Sequence, residues 1–357
     1  MSHAPCWCLG LLMLGAVGSA GAQTLRGSLV EEGTDTPVAG AFVVLEDSAG
    51  ARVGQVPSTS SGRFQLQAPR AGTYHLRILR IGFPPWEATV TLADGALVDQ
   101  RFRLASVPVT LPEITVAGDE RCGGRARLDT LSSTLWIQAG TALALTNATV
   151  SSRAYRFETV LEERDVDATG QLSAARKEPE VSISSWPVRS PPADTLLVSG
   201  FIENMEDLVA GPTWYGPDPE FLLSEAFFAG HCFRTVPPGP ADPPGLIGLA
   251  FTPIAQDRRA DIRGTLWLER DGAALRRLEF RYTRLPTWAR AAEAGGSLRF
   301  APLPGGGWIV QRWILRVPVP RLDLGTGQVK LQGYLESDGR VSAVLASDGK
   351  LVQRFPD

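Results

Sequence analysis

The chain has 357 residues, of which 44% are hydrophobic and 20% are charged, and its formal net charge is -3. This apolar content supports packed cores and excludes a disordered chain. No basic cluster is dense enough to neutralise a run of phosphates, which argues against a nucleic-acid partner. A chain of this length usually exceeds one core, and we therefore expect two domains.

Residues 1–22 have the pattern of a secretory signal peptide. They contain no Lys or Arg, carry an apolar stretch over residues 8–17, and end in Ala20, Gly21 and Ala22, an A-x-A cleavage site. The apolar stretch is shorter than the ~20 residues that a membrane span requires. We expect a mature chain from Gln23 without a membrane-spanning segment, located in the periplasm, at the outer-membrane periphery or outside the cell.

Residues 23–104 contain short stretches in which apolar and polar side chains alternate, a pattern that predicts β-strands. The clearest stretches are 25–30, 41–46, 62–66, 71–78, 86–92 and 100–104. A turn over residues 68–72 is expected to join the third and fourth of them as a hairpin. Short strands between Gly and Pro turns predict a small β-sandwich of about seven strands.

In the same segment, an ordered set of motifs resembles the carboxypeptidase regulatory-like domain, a transthyretin-like sandwich grouped with carbohydrate-binding-like folds. The matching residues lie at 27–30, 36–41, 59–64, 72–74 and 80–83. Domains of this family accompany carboxypeptidases and bacterial outer-membrane receptors without performing their chemistry. The resemblance therefore implies an accessory module of the cell envelope or of the extracellular space.

Removal of the signal peptide would leave two cysteines, Cys122 and Cys232. In an oxidising compartment we expect them to form a disulfide. The bond would close a loop of about 110 residues and contribute about 4 kcal/mol in the chain-entropy model. The alternative is a reactive thiol or a metal site that uses His231 and Cys232. Neighbours on a strand point to opposite faces, and no second ligand pair lies at zinc spacing, so we favour the disulfide.

Residues 105–120, which include two prolines, are predicted to link the sandwich to a second domain at 121–357. This domain begins with a predicted amphipathic helix of about four turns, from a cap at Asp129 or Ser132 to Thr146 and Asn147. Alternation then predicts strands at 155–162, 264–269, 275–282, 308–317 and 328–335. Turns are expected at 270–272, 304–307 and 337–339.

The predicted fold class is mainly β. An N-terminal transthyretin-like β-sandwich is followed by an α+β domain with one long helix on a curved antiparallel sheet. The strand, turn and strand over residues 264–282 are similar in architecture to the sheet of periplasmic lipoprotein-carrier half-barrels. That similarity concerns architecture alone, because helix-on-sheet packing serves many functions.

The chain lacks the common catalytic and nucleotide-binding motifs, including G-x-S-x-G, H-E-x-x-H, the Walker loop and the dinucleotide fingerprint. His75 lies on a predicted strand with no Ser or acid at motif spacing. Asp165 and Asp167 open a calcium-loop pattern, but Arg176 occupies the position of the bidentate Glu, and a hairpin turn explains them better. We therefore expect no catalytic residue, no cofactor and no metal.

Aromatic residues of the second domain are the candidate ligand-binding residues, because they can stack on sugar rings or line a lipid groove. The candidates are Trp186, Trp214, Tyr215 and Trp308. Trp308 and Trp313 are five positions apart on one predicted strand and are expected on opposite faces. Core packing is the alternative role for each of these side chains.

Two functions of different classes follow from the sequence. The favoured one is a non-catalytic secreted or periplasmic envelope protein with a binding or accessory role, whose partner is a glycan, a lipid or an envelope protein. The alternative is a hydrolase of cell-surface polymers with Glu203, Glu206 and Asp207 as acid and base. An open groove would support binding, whereas two facing carboxylates in a cleft would support hydrolysis.

Overall fold

The computed structural model describes residues 23–105, 130–172, 178–204, 211–240, 242–254, 259–290 and 292–356. The fold is mainly β, as the sequence predicts, with one long helix between an N-terminal sandwich and a large sheet. Several predicted features lie outside the described residues: the signal peptide, the linker from residue 106 onward, Cys122, Asp129, Arg176, Glu206 and Asp207.

The sandwich, as we call residues 23–104, contains two facing sheets. Its strands are β1 (Gln23–Glu31), β2 (Phe42–Glu46), β3 (Arg52–Pro57), β4 (Arg63–Ala68), β5 (Gly72–Leu79), β6 (Trp86–Leu92) and β7 (Leu97–Leu104). One sheet has the order β4-β1-β7 and the other has the order β3-β2-β5-β6. Alternate side chains of both sheets meet in one apolar core that includes Leu25, Val43, Leu66 and Leu76.

The predicted hairpin between residues 62–66 and 71–78 is wrong. Strand β4 pairs with β1 in one sheet, whereas β5 pairs with β2 and β6 in the other. Phe64 and Leu66 on β4 point into the same core as Tyr74 and Leu76 on β5. Both strands therefore bury a face across the sandwich, and the connection after Ala68 carries the chain from one sheet to the other.

The helix–sheet unit, as we call residues 130–356, contains all remaining elements. Its helices are α1 (Thr130–Ser151), α2 (Ala193–Ser199), α3 (Pro219–Leu222), α4 (Glu225–Gly230) and a 3-10 helix (Thr287–Ala289). Its strands are β8 (Tyr155–Asp167), β9 (Glu180–Ser184), β10 (Ile202–Glu203), β11 (Thr213–Trp214), β12 (His231–Val236), β13 (Leu246–Pro253), β14 (Asp261–Glu269), β15 (Leu275–Thr283), β16 (Gly295–Pro302), β17 (Trp308–Asp323), β18 (Gln328–Ala346) and β19 (Leu351–Arg354).

Helix α1 is buried over nearly its whole circumference. Its 22 residues include no Asp, Glu, Lys or Arg, and Leu135, Ala139, Leu143 and Leu145 are fully buried. The helix is therefore longer than the four turns expected, and it has no charged face, so it is not the amphipathic helix that the sequence suggested. No helix among the described residues is long and apolar enough to span a bilayer.

The sandwich also contributes to the covering of α1. Phe42 and Leu79 of the sandwich belong to the same buried cluster as α1 and the large sheet. Two hydrogen bonds add to this packing. The side chain of Gln55 donates to the carbonyl of Ala148 at 2.6 Å, and the backbone N–H of Gly82 donates to Gln138 at 3.0 Å. Sandwich, helix and sheet thus share one core.

Ten strands within the described residues form a single antiparallel sheet. Its order is β12-β13-β14-β15-β16-β17-β18-β8-β9, and β19 pairs with β18. One face, which we call the inner face, packs on α1 through residues such as Leu266, Leu278 and Leu298. The opposite face is the outer face. The predicted helix on a curved antiparallel sheet is confirmed in this arrangement.

The turn expected at residues 337–339 is wrong, because these residues lie inside β18. Asp338 pairs with Arg312 on β17, and the side chain of Trp313 covers Gly339 so closely that an added Cβ would collide with the indole. The Asp and Gly that suggested a turn are thus held in the strand by partners on β17. The turns expected at 270–272 and 304–307 do join β14 to β15 and β16 to β17.

Trp308 and Trp313 share the inner face, contrary to expectation. The register of β16 and β17 passes from Arg299 opposite Arg312 to Phe300 opposite Val310, so that Gln311 is an extra residue. Beyond such a bulge, each side chain points to the face opposite to the one that unbroken alternation would give. A separation of five therefore brings both tryptophans to the side of α1.

Ion pairs across β17, β18 and β8 cover part of the outer face. Arg312 holds Asp338 by two hydrogen bonds, at 2.8 and 2.5 Å. On the next strand pair, Glu162 accepts hydrogen bonds from Arg340 at 2.9 Å and from Arg164 at 3.2 Å. The hydrogen bonds from Arg340 and then Arg164 lower the pKa of Glu162 from its ordinary value.

We predict that Leu143→Ala lowers the free energy of unfolding by about 2–5 kcal/mol, because it leaves a cavity between α1 and the sheet. The matched control is Ile137→Ala on the same helix, where the side chain is 44% exposed. It should cost less than about 1 kcal/mol. Urea unfolding monitored by tryptophan fluorescence measures both. Equal losses of unfolding free energy in the two variants would contradict the burial of Leu143 between α1 and the sheet.

We predict that Glu162→Gln destabilises the protein at neutral pH by up to about 1 kcal/mol, the value typical of a partly exposed ion pair. Because the folded-state pKa of Glu162 is lowered, its contribution is present above the unfolded-state pKa and is lost as the pH falls through the folded-state pKa. The difference in unfolding free energy between the variant and the unchanged protein should therefore vanish in acid.

Urea unfolding over a series of pH values gives this difference. The control is Glu180→Gln, which changes an exposed glutamate on the adjacent strand β9. A deficit of Glu162→Gln that persists unchanged in acid would show that the charge of Glu162 is not what stabilises these strands.

Candidate binding groove on the outer sheet face

Alternation along β14 to β17 directs polar side chains outward while their neighbours pack on α1. On β15, Leu278 and Phe280 are buried, whereas Glu279 and Arg281 are exposed. The same alternation places Arg263 of β14 and Arg316 of β17 on the outer face. Strands β14, β15 and β17 thus present arginines on the same face of the sheet.

An open groove of about 640 Å³ crosses these strands. Four arginines, two glutamates and three hydroxyl side chains line it: Arg234, Arg263, Arg281, Arg316, Glu279, Glu293, Thr252, Thr265 and Ser297. Because the arginines extend from different strands, the groove lies transverse to the strand direction.

A glycine lies in the groove between two of its arginines. Gly295 is in register with Arg281 on one side and with Arg316 on the other, and it has no side chain to fill the space between them. A Cβ at Gly295 would collide with the carbonyl oxygen of Phe280. The close approach of adjacent strands therefore requires glycine here, and the same requirement leaves the groove open at this position.

Like charges face each other directly in the groove. Arg263 and Arg281 are cross-strand partners in the register of β14 and β15. Gly295 stands between Arg281 and Arg316 in the register of the next two strand pairs. Facing like charges destabilise a sheet, so this row is unfavourable unless anions compensate it.

The compensation within the protein is incomplete. Arg281 is 3.6 Å from Glu293, with both side chains mostly exposed. Arg316 is 3.2 Å from Glu336 and lies over the ring of Tyr334. Within the described residues, no ion pair or side-chain hydrogen bond joins Arg234 or Arg263 to a partner. Two exposed guanidinium groups are thus left to solvent or to a ligand.

The two carboxylates of the groove are each engaged by neighbouring residues. Glu279 accepts a hydrogen bond from the indole of Trp267 at 3.0 Å and lies 3.3 Å from Arg277. Glu293 pairs with Arg281. Each of the two carboxylates therefore has an arginine partner within the protein.

A second shallow depression, of about 850 Å³, adjoins the groove at Arg263. Arg284 and Arg290 line it together with Thr283 and Thr287. The guanidinium of Arg284 donates to the carbonyl of Arg259 at 3.1 Å. The positive character of the outer face thus continues past Arg263, although the formal charge of the whole chain is -3.

The four predicted aromatic residues do not line one common site. Trp186 is half-buried under Arg189 and borders a cavity of about 20 Å³, room for about one water. Trp214 packs against the ring of Tyr282 at 5.1 Å. Trp308 is 5% exposed and belongs to the core around α1. It therefore has the alternative role that the sequence allowed, which is core packing. None of these side chains lines the outer-face groove.

Tyr215 and Glu203 meet at a different edge of the unit. The hydroxyl of Tyr215 donates to Glu203 at 2.9 Å, and this hydrogen bond raises the pKa of Tyr215. Glu203 is the only described member of the three carboxylates considered for hydrolysis. Its tyrosine partner gives it a structural role at the short β10–β11 pair.

The remaining sequence candidates have structural roles. His75 is exposed on a strand of the sandwich, as expected for a polar strand-face residue. His231 is buried, and its ring nitrogens lie 2.9 Å from the carbonyl oxygen of Phe227 and 3.2 Å from that of Ile262. Asp167 accepts hydrogen bonds from the backbone N–H groups of Thr169 and Gln171, which confirms the turn.

The groove arginines were missed in the sequence. They belong to four strands spread from residue 234 to residue 316, so no local spacing connects them. The sequence did contain one signal, because charged residues at alternate positions, as in Arg277, Glu279 and Arg281, mark one polar face of a strand. The pairing of strands was needed to bring these faces together.

Comparison with known proteins identifies the sandwich but not the helix–sheet unit. No curated protein matches the chain. Among solved structures, the pilus 2b backbone protein of group B streptococcus has 15% identity and a TM-score of 0.22, covering 24% of this chain and 42% of that one. The 5-hydroxyisourate hydrolase of Klebsiella pneumoniae has 19% identity and a TM-score of 0.21, covering 24% and 91%.

A longer alignment is found with a putative carbohydrate binding protein from Bacteroides uniformis, at 10% identity and a TM-score of 0.21, covering 73% of this chain and 95% of that one. TM-scores this low support no functional argument. The family model for the carboxypeptidase regulatory-like domain, however, matches residues 24–105. The sandwich at the start of this chain is therefore a carboxypeptidase regulatory-like domain.

Proposed function

We propose that the chain is an exported, non-catalytic binding protein of the cell envelope, and that its outer-face groove binds an anion-bearing ligand. The observation that carries this proposal is the set of arginines along the groove, with Arg263 directly opposite Arg281. A bound carboxylate or phosphate would relieve the repulsion of this pair and form charge-assisted hydrogen bonds with it.

The family of the sandwich supports an accessory role, because carboxypeptidase regulatory-like domains accompany other proteins without doing their chemistry. The predicted signal peptide at 1–22 and the cysteine pair support export. In this protein the sandwich shares a core with α1 through Phe42 and Leu79. We infer that the sandwich holds the groove in a fixed orientation.

The aromatic candidates enter the proposal in a minor role. Trp186, Trp214 and Tyr215 remain partly accessible, but they lie apart from the arginines of the groove. A sugar could stack on one of them without the groove. The hydrolase alternative is not developed further, because Glu203 is the only one of its three carboxylates in the described part of the chain, and it bonds to Tyr215 away from the groove.

We predict that the full chain binds anionic glycans on an array and does not bind their neutral counterparts. Arg263→Gln combined with Arg281→Gln should reduce this binding at least about tenfold, since a hydrogen bond to a charged group contributes about 1.5–3 kcal/mol. The matched control is Arg63→Gln, which removes an exposed positive charge from the sandwich instead. Equal binding of neutral glycans, or full binding by the double variant, would overturn the proposal.

We predict that Cys122 and Cys232 form a disulfide in protein isolated from an oxidising compartment. A peptide map without reductant should contain one linked peptide with both cysteines, which separates on reduction. Loss of the bond through Cys122→Ser should lower the free energy of unfolding by about 2–5 kcal/mol. Alkylation of both thiols in the unreduced, unfolded protein would contradict the prediction.

A further inference from the structure

The four arginines of the groove lie on four of the six adjacent strands from β12 to β17. Arg234 lies on β12, Arg263 on β14, Arg281 on β15 and Arg316 on β17. Neighbouring strands are about 4.8 Å apart, so the row extends over roughly 24 Å across the sheet. This length is much greater than the diameter of one carboxylate or phosphate group.

A small anion can therefore satisfy only part of the row. It could bridge Arg263 and Arg281, which face each other on neighbouring strands. Arg316 lies two strands beyond Arg281, across Gly295, and Arg234 lies two strands beyond Arg263 on the other side. Arg316 also has Glu336 as a partner within the protein, but both outer arginines lie beyond the reach of that anion and can contact further anionic groups of a longer ligand.

Hydroxyl side chains and carboxylates fill the intervals between the arginines. Thr252, Thr265 and Ser297 line the groove together with Glu279 and Glu293. Hydroxyl groups donate and accept hydrogen bonds, and carboxylates accept them from the hydroxyls of a sugar. The alternation of cationic and hydrogen-bonding groups matches a chain that has acid groups on some units and hydroxyls on all of them.

Two other polyanions fit less well. A nucleic acid carries a phosphate at every unit, and Glu279 and Glu293 would repel such a continuous charge. Its bases would also need aromatic stacking platforms, whereas Phe251 and Phe280 at the groove are buried. A lipid headgroup would engage one arginine pair and leave the rest of the row unused.

On these grounds we propose that the groove binds an acidic polysaccharide, with its chain laid across β12 to β17 and its acid groups against successive arginines. This inference rests on the proposed function and specifies its ligand. The binding is multivalent, so affinity rises with chain length until an oligosaccharide spans the row and then levels off. It weakens as salt screens the exposed charges.

The test measures the affinity of the full chain for galacturonic acid, for a size series of oligogalacturonides and for polygalacturonate, by calorimetry at fixed ionic strength. The dissociation constant should fall at least about tenfold from the disaccharide to an oligomer that spans the groove, with little change beyond it. Arg316→Gln should weaken binding of the spanning oligomer more than binding of the disaccharide, because only the longer ligand reaches β17.

Arg63→Gln on the sandwich serves as the control for total charge, and thermal unfolding checks that every variant is folded. If anionic glycans bind but affinity is independent of length, the extended ligand is overturned while the proposed function stands. If no anionic glycan binds, both are overturned. If single-stranded DNA or vesicles of anionic phospholipid bind as tightly at equal charge, the assignment to a polysaccharide is overturned.

Discussion

A helix without a single charged side chain is the constraint on which the fold depends. Helix α1 has apolar or small residues on all sides over 22 residues, so no orientation would leave a polar face in water. One concave sheet covers part of it, and Phe42 and Leu79 of the sandwich complete the cover. The accessory domain is thus not a detachable appendage, because its removal would expose apolar surface that the sheet does not reach.

Strand alternation around α1 also explains the outer face. Leu278 and Phe280 of β15 are buried, so their neighbours Glu279 and Arg281 point outward. Gly295 lies between Arg281 and Arg316 in the register and leaves the groove open there. Packing on the inner side and an open site on the outer side therefore follow from one pattern of residues.

The sequence predicts the features that depend on local patterns. Alternation locates most strands, apolar residues that recur every three or four positions locate α1, and ordered motifs identify the sandwich. Features set by pairing between distant strands were not predictable. The extra residue Gln311 brings Trp308 and Trp313 to one face, and Asp338 lies in a strand because Arg312, 26 positions away, holds it there. The groove belongs to the same class, since its arginines meet only when the sheet forms.

The pairing of β8 with β18 has a consequence for how the protein is made. Glu162 and Arg340, which join these strands, are separated by 178 positions. Strand β8 has two neighbours in the sheet, and β9 follows it directly in the chain, whereas β18 is synthesised much later. Until β18 is made, one edge of β8 is unpaired and part of the apolar helix is uncovered, and both features favour aggregation. Completion of the sheet therefore has to wait for a strand that is distant in sequence, which is the kind of contact that slows folding.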